Sequence, residues 1–314
     1  MKRFNLKLAI SIVVGTLVMV AGVWIVLGMQ QKGTSATLKQ EAEKLVQDGK
    51  KEEAMKNYRA RLEISERTAQ DDPKNASARL DLGDSYAFVG IAAAELGDTD
   101  QGLAMLQKAI DLLENEATRD PKLSFARRVL GLACLFRGQV LLKAGKLDGA
   151  LSDFKKTAAI YEAIASVNAN DIDAQIEVAA INSKIADVLA MRGESGSAAA
   201  LYQKSLAIVE PFAHTVHPLL QAQYAAADAG RGLGVALQKQ ATRSGSSMAE
   251  QADSLKQACS WFQQSAAEWQ RVSNPGKFSP TGFDTGGPSR VAQELSSCEA
   301  HLKNLKERTE VARH

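Results

Sequence analysis

Apolar residues along this chain recur at helical steps rather than in alternation. From Gly138 to Glu162 (GQVLLKAGKLDGALSDFKKTAAIYE) they run at spacings of three and four, stop at Ala144-Gly145-Lys146, and resume at the same spacings. That pattern predicts a helix, a tight turn and a second helix. The segment has counterparts on both sides at a fixed distance. Tyr58, Leu106, Phe154 and Tyr202 are each 48 residues apart, as are Glu66, Glu114, Glu162 and Glu210. Ala78, Ala126, Ala174 and Ala222 keep the same spacing. Gly97, Gly145 and Gly193 mark the turns, and Gly90, Gly138, Ala186 and Gly234 hold a small position inside one helix. A fixed period of this size is the signature of an α-solenoid of helical hairpins.

Each unit is expected to hold two helices of about 20 residues, in the first full unit roughly Ala76–Leu96 and Asp100–Arg119. Asp98 and Asp148 fall near helix starts, where acidic groups suit the exposed amides. Asp72-Pro73 and Asp120-Pro121 separate units because Pro cannot continue the preceding helix. The third unit has Asn168-Ala169 there, and the fourth has Pro218 one place late. A fifth, degenerate unit follows after 60 residues, with Phe262 in the aromatic place and 12 extra residues around Thr242–Gln251.

The N-terminus breaks the pattern. Leu8 to Met29 is a run of 22 residues without a charge, behind a cap that carries Lys2, Arg3 and Lys7. A helix needs about 20 apolar residues to cross the hydrocarbon of a bilayer. Trp24 sits near the far end, as interfacial aromatics do. A cleaved signal peptide is the rival reading, but its apolar region is about 7–15 residues and ends in small residues. Leu27-Gly28-Met29-Gln30 is a poor cleavage site. The expectation is one uncleaved transmembrane helix at 8–29, with the N-terminus cytoplasmic and the repeats periplasmic or extracellular. The chain then divides into a basic cap (1–7), the anchor (8–29), a linker and short helix (30–51), the repeats (52–241), and a degenerate final repeat with a capping helix (242–314). Within 30–51, Gln30–Ala36 reads as polar linker and Leu38–Asp48 as the helix, ended by Gly49.

Composition narrows the function classes. The chain of 314 residues is 45 % apolar and only 5 % aromatic, and Ala, Leu, Lys, Glu and Gln abound, which favours helix. Net charge is +2 with no clustered basic block, so no nucleic-acid partner is expected. Three cysteines are too few for a disulfide scaffold. Cys134 lies within an apolar helix and reads as core. Cys259 and Cys298 lie on the last two predicted helices. They would form a disulfide if those helices pair antiparallel outside the cytoplasm, and otherwise read as two small core residues.

The repeat resembles the tetratricopeptide repeat. The roles of small residue in helix A, turn glycine, early small residue in helix B, aromatic, and second small residue fall to Gly138, Gly145, Ala150, Phe154 and Thr157. In the next unit they fall to Ala186, Gly193, Ala198, Tyr202 and Ser205, and in the one before to Gly90, Gly97, Gly102, Leu106 and Ala109. Small residues let the helices approach, and the aromatic is expected to plug the hole between units. The usual repeat is 34 residues long. This long-helix variant is similar to arrays in membrane-anchored or kinase-linked proteins of planctomycete- and acidobacterium-like lineages. No Gly-rich loop, HRD or DFG is present, so no kinase accompanies it.

The resemblance implies a concave face lined by helix A that binds protein or peptide partners. The family's groove positions map to Ala87, Ile91, Ala94 and Glu95, then Leu135, Gln139, Leu142 and Lys143. They continue with Ser183, Asp187, Ala190 and Met191, then Arg231, Val235, Gln238 and Lys239. The partner-binding candidates are Ile91, Glu95, Gln139, Leu142, Lys143, Asp187, Met191, Arg231, Gln238 and Lys239. Two roles follow: a membrane-anchored scaffold, or a regulatory or sensory subunit of a kinase-type signalling complex.

Other constellations carry little chemistry. His214 and His217 form an H-x-x-H pair without a third ligand nearby, and read as a polar corner between helices. Ser273–Ser289 is a Gly-, Pro- and Ser-rich loop with no phosphate-binding pattern. No catalytic residue, metal, cofactor or small-molecule substrate is expected.

Overall fold

The computed structural model describes residues 34–119, 124–168, 170–216, 218–242, 246–272 and 287–311. The basic cap and anchor expected at 1–29, Asp120-Pro121, His217 and most of the Gly-Pro-Ser loop lie outside the described residues. Among the described residues no helix is long and apolar enough to cross a membrane.

Every regular element among the described residues is a helix. They are α1 (34–47), α2 (Lys51–Asp71), α3 (Ala76–Glu95), α4 (Thr99–Arg119), α5 (Ser124–Lys143) and α6 (Leu147–Val167). The chain goes on with α7 (Ile172–Met191), α8 (Ser195–Ala213), α9 (Leu220–Ala241), α10 (Met248–Arg271) and α11 (Gly287–Val311). This is an all-α, tetratricopeptide-like helical fold. Helix α1 takes in Thr34 to Ala36, which the sequence reads as linker. It makes a further hairpin with α2, ahead of the α3–α4 unit. The described residues form two compact units, divided within α4 between Leu112 and Leu113.

One turn recurs every 48 residues. Gly49, Gly97, Gly145 and Gly193 all have positive φ, between 71° and 94°. The amide after each glycine donates to a carbonyl in the last turn of the preceding helix: Lys50 to Leu45, Asp98 to Ala93, Lys146 to Leu141 and Glu194 to Leu189, at 2.8–2.9 Å. This arrangement occupies carbonyls that a helix end leaves bare, and the left-handed residue costs glycine nothing. Gly49 belongs to the glycine series, although the short helix before it disguises this. The helix starts repeat too. Asn75 and Asp171 are helix caps that accept from the amides of Ala78 and Ala174, two members of the alanine series. Helix α10 instead begins with a reciprocal capping box between Ser247 and Glu250.

In the N-terminal unit, Leu106 of α4 sits against Gly90 of α3, where an added Cβ would lie 2.8 Å from the leucine. Tyr58 stacks on Phe88 at 5.3 Å within a cluster of Ala42, Ala54, Met55, Val89 and Ala93. Arg61 stands where later units have a small residue, and it is 3 % exposed. Its Nη2 donates to Asp81 at 2.5 Å and Asp84 at 2.8 Å, and Lys39 also pairs with Asp84 at 2.9 Å. Burial alone would raise the Asp81 carboxyl, but the Ser65 hydroxyl and the Arg61 guanidinium outweigh it and the net shift is downward.

In the C-terminal unit the rings of Phe154 and Phe262 lie against Gly138 and Gly234 of their own hairpins. Both rings are fully buried. Tyr202 reaches the next hairpin, lying against Gly232 of α9. The expectation that the aromatic plugs the space between units therefore describes Tyr202, while Phe154 and Phe262 also close a hairpin on itself. A second series lies beside them. Thr157, Ser205 and Ser265 are buried hydroxyls that donate to the carbonyls of Gly131, Ala179 and Ala227, at 3.3, 2.8 and 2.7 Å. The small residue of the repeat thus also ties helix B to helix A. Cys134 is core, and burial pushes its thiol up to about 12. Cys259 of α10 and Cys298 of α11 form a disulfide, with Cα atoms 5.6 Å apart.

Two outcomes follow from this packing. Gly234→Ala drives a methyl into the Phe262 ring and costs about 1–3 kcal/mol, the range for overpacked cores, in denaturant unfolding. The disulfide closes a loop with a sequence separation of 39. Its removal in a Cys259→Ser/Cys298→Ser variant lowers stability by up to about 4 kcal/mol by the chain-entropy relation, measured the same way.

Candidate functional site

The expected groove positions follow the 48-residue register. Gln139, Asp187 and Val235 form one row across α5, α7 and α9, and Lys143, Met191 and Lys239 the next. Packing of successive A helices in the C-terminal unit brings both rows to one cavity of about 360 Å³. Seven candidates line it: Gln139, Leu142, Lys143, Asp187, Met191, Arg231 and Lys239. Three do not. Gln238 is turned to α11, its amide nitrogen 3.1 Å from His301 Nδ1. Ile91 and Glu95 belong to the N-terminal unit, where Glu95 pairs with Lys51 at 3.5 Å. Past Ala190, Met191 and Lys239, which line both, lies a wider cleft of about 1130 Å³ that extends to Ser195, Ser246 and Ser254.

The inner wall is a charge network. Asp228 of α9 accepts from Lys184 Nζ at 3.2 Å and from Arg231 Nη2 at 3.3 Å. Lys184 also lies 3.5 Å from Asp187, which accepts the Tyr202 hydroxyl. Arg231 Nη1 lies 3.4 Å from Glu294 of α11, and Arg290 pairs with the same carboxylate at 3.2 Å. Burial pushes the Asp228 carboxyl up, but Lys184 and Arg231 pull it further down, so it is held below the usual range. Burial likewise lowers the Lys184 ammonium, and Asp228 and Asp187 reverse this and raise it. Burial and the Asp187 carboxylate together raise the Tyr202 hydroxyl far above the usual phenol range, so it stays a donor. Asp228, Lys184 and Tyr202 are thus held in the charge state that their contacts need.

Arg231 differs from the expectation of a groove cation open to a partner. It is 8 % exposed and already engaged with Asp228 and Glu294. The outward groups are Lys143, Met191 and Lys239, with Met191 54 % exposed. Between wall and rim stands Gln139, 4 % exposed, whose amide nitrogen and oxygen are both buried without a hydrogen-bond partner. Arg231 Nε and one Glu294 oxygen share that condition. Most buried polar groups are paired, because an unpaired one costs about 1–3 kcal/mol.

Sequence reasoning missed Lys184, Tyr202, Asp228, Arg290 and Glu294. Lys184 and Asp228 left a signal: each is a charge three residues from an opposite charge on the same helix, Asp187 and Arg231. Tyr202 was assigned to packing, which it also performs. Arg290 and Glu294 left none, since only the docking of α11 brings them to the cavity. His214 pairs with Glu268 at 3.0 Å. Among the described residues no cluster of three or more His, Cys, Asp or Glu could hold a metal.

No family model matches the chain, and no curated protein sequence matches it. Solved structures do share its fold. BtubC (BKLC) from P. vanneervenii is 15 % identical, with 83 % of this chain and 92 % of that chain covered, at a TM-score of 0.52. The nuclear import adaptor Nro1 of S. pombe is 13 % identical, with 87 % and 94 % covered, at a TM-score of 0.50. A thermophilic tetratricopeptide-repeat protein of Thermus thermophilus is 16 % identical with 83 % and 98 % covered, at a TM-score of 0.39. At these identities the likeness to BtubC and Nro1 is one of fold alone.

Removing one member of the network strands its partners. Asp228→Leu leaves Lys184 and Arg231 buried without their shared carboxylate, and costs about 3–5 kcal/mol in denaturant unfolding. Lys239→Ala at the exposed rim changes stability by less than about 0.5 kcal/mol.

Proposed function

We propose that this chain is a membrane-anchored scaffold that holds a protein or peptide partner in the helix-A groove of its C-terminal unit. The observation that carries the reading is Gln139. A buried amide with neither atom paired, lining a cavity at a groove position, is explained by an occupant that supplies both a donor and an acceptor. The rim supports it, since Met191 presents apolar surface between two lysines. The fold gives general support: Nro1, which has it, is a nuclear import adaptor, a role that works through other proteins. The proposal assigns no catalytic chemistry to the chain. A signalling enzyme of kinase type is one class of partner that it allows.

The anchor rests on residues 8–29, a charge-free run long enough to span a bilayer, behind Lys2, Arg3 and Lys7. This places the N-terminus in the cytoplasm and the repeats across the membrane, in a periplasm or outside the cell. The Cys259–Cys298 disulfide supports that side, because disulfides persist in oxidising compartments.

The two parts are tested separately. The full chain is expected to stay in the membrane pellet after a high-pH wash, and protease added outside the cytoplasmic membrane is expected to digest the repeats. Recovery in the wash, or digestion only after lysis, would overturn the anchor or its orientation. In-cell crosslinking from position 143 or 191 is expected to trap one protein partner. Equal yields from position 167, which is 83 % exposed and does not line the cavity, would overturn the groove.

A further inference from the structure

We infer that the partner inserts an uncharged carboxamide side chain, glutamine or asparagine, into this cavity. There it pairs with Gln139 and with the polar atoms that Arg231 and Glu294 leave unbonded. The inference rests on the groove reading above and names the group that fills the groove.

Four stranded atoms carry it. The Gln139 amide nitrogen and oxygen, Arg231 Nε and Glu294 Oε2 are buried without a hydrogen-bond partner, and all three residues line the same cavity. Gln139 is on α5, Arg231 on α9 and Glu294 on α11, so no local turn accounts for the set. Arg231 and Glu294 are neighbours, because Arg231 Nη1 meets Glu294 Oε1 at 3.4 Å. Buried polar atoms are rarely left unpaired. Two donors and two acceptors gathered at one cavity therefore describe the group that meets them.

The count selects among the groups a protein can offer. A carboxylate brings acceptors only, so it leaves both oxygens unpaired and is repelled by Glu294. An ammonium or guanidinium brings donors only. A main-chain peptide group or a single hydroxyl has one hydrogen to donate. A carboxamide brings two N–H groups and two oxygen lone pairs, the full complement of the four stranded atoms. One N–H and one lone pair serve the Gln139 amide, as two amides pair edge to edge. The other N–H and lone pair remain for Glu294 Oε2 and Arg231 Nε.

Charge and shape agree with this choice. In the inner wall Lys184, Arg231 and Arg290 pair with Asp187, Asp228 and Glu294 at 3.2–3.5 Å. Cations and carboxylates are equal in number there, so a neutral group enters without adding an uncompensated buried charge. Leu142, Met191 and Val235 line the same cavity and offer apolar surface to the stem of the inserted side chain. The volume of about 360 Å³ is at the small end of the range for ligand sites, about 300–1,000 Å³. It suits an inserted side chain and its neighbours rather than a whole helix.

The test is selection by the full chain, kept in solution with mild detergent and immobilised, from octapeptides randomised at every position and capped at both ends. At one position of the selected peptides, Gln or Asn is expected to rise at least about threefold over Glu, Asp and Leu. In the best peptide, replacing that carboxamide by its acid isostere or by an apolar side chain of like length is expected to weaken binding about tenfold. Gln139→Met keeps the length of the side chain and removes the amide. It is expected to leave Tm unchanged and to shrink the preference for carboxamide over apolar peptide to about twofold or less. Gln139→Leu, a second shape, is expected to do the same. A clear selection without carboxamide preference, or a preference that survives both variants, overturns the inference while leaving a peptide-binding groove. A fall in Tm in both variants with the preference intact makes Gln139 structural and also overturns it. If no peptide is enriched, the groove reading itself fails.

Discussion

A side chain pressed onto a glycine holds three hairpins of this protein together. Leu106 on Gly90, Phe154 on Gly138 and Phe262 on Gly234 are one contact used three times, while Tyr202 lies against Gly232 of the next hairpin. The contact works only if the helices run close, and they run close only because no Cβ intervenes. The hydroxyls of Thr157, Ser205 and Ser265 then reach across to helix-A carbonyls. Glycine turns set the length of helix that enters each contact, since the helix must end where the left-handed residue stands. Packing and turn together produce the 48-residue period.

This constraint decides where function can lie. In α7 and α9, one face is consumed by the paired helix B and by the neighbouring hairpins. What remains is a narrow strip, and its positions share a register: 139, 187 and 235, then 143, 191 and 239. Three A helices and α11 place these strips around one cavity. The disulfide ties α11 to α10, and α11 brings Arg290 and Glu294 to the wall. The cap is therefore part of the candidate site as well as the end of the core.

Charge buried inside the fold serves two different ends. Arg61 in the N-terminal unit replaces the small residue that other hairpins use, and Asp81, Asp84 and two serines surround it. That cluster is a local substitute for the usual contact. In the C-terminal unit, Lys184, Asp228 and Arg231 form the inner wall of a cavity and leave Gln139 unsatisfied beside it. Buried ion pairs contribute little net stability against apolar residues of the same size. Their effect here is to hold a polar wall in fixed geometry.

Much of this was legible in the order of residues. The period, both helices of each hairpin, the turn glycines, and Phe154 and Phe262 as core all follow from residue spacing, whereas the groove positions came from the resemblance to the tetratricopeptide repeat. That spacing is local, and the helix is a local structure. The helix ahead of Gly49 and its ending were legible too, but their place in the 48-residue series escaped, because one short helix lacks the contrast that makes a period visible. The charge-free run at 8–29 is likewise a property of the sequence alone. Tertiary structure decided the rest, because it concerns residues far apart in the chain. It paired Cys259 with Cys298 and turned Gln238 toward His301. It enclosed Arg231 between Asp228 and Glu294, and it left the Gln139 amide buried and unpaired. Spacing records which face of a helix a residue occupies. Whether that residue is satisfied depends on what the neighbouring helices bring to meet it, and only the packed fold determines that.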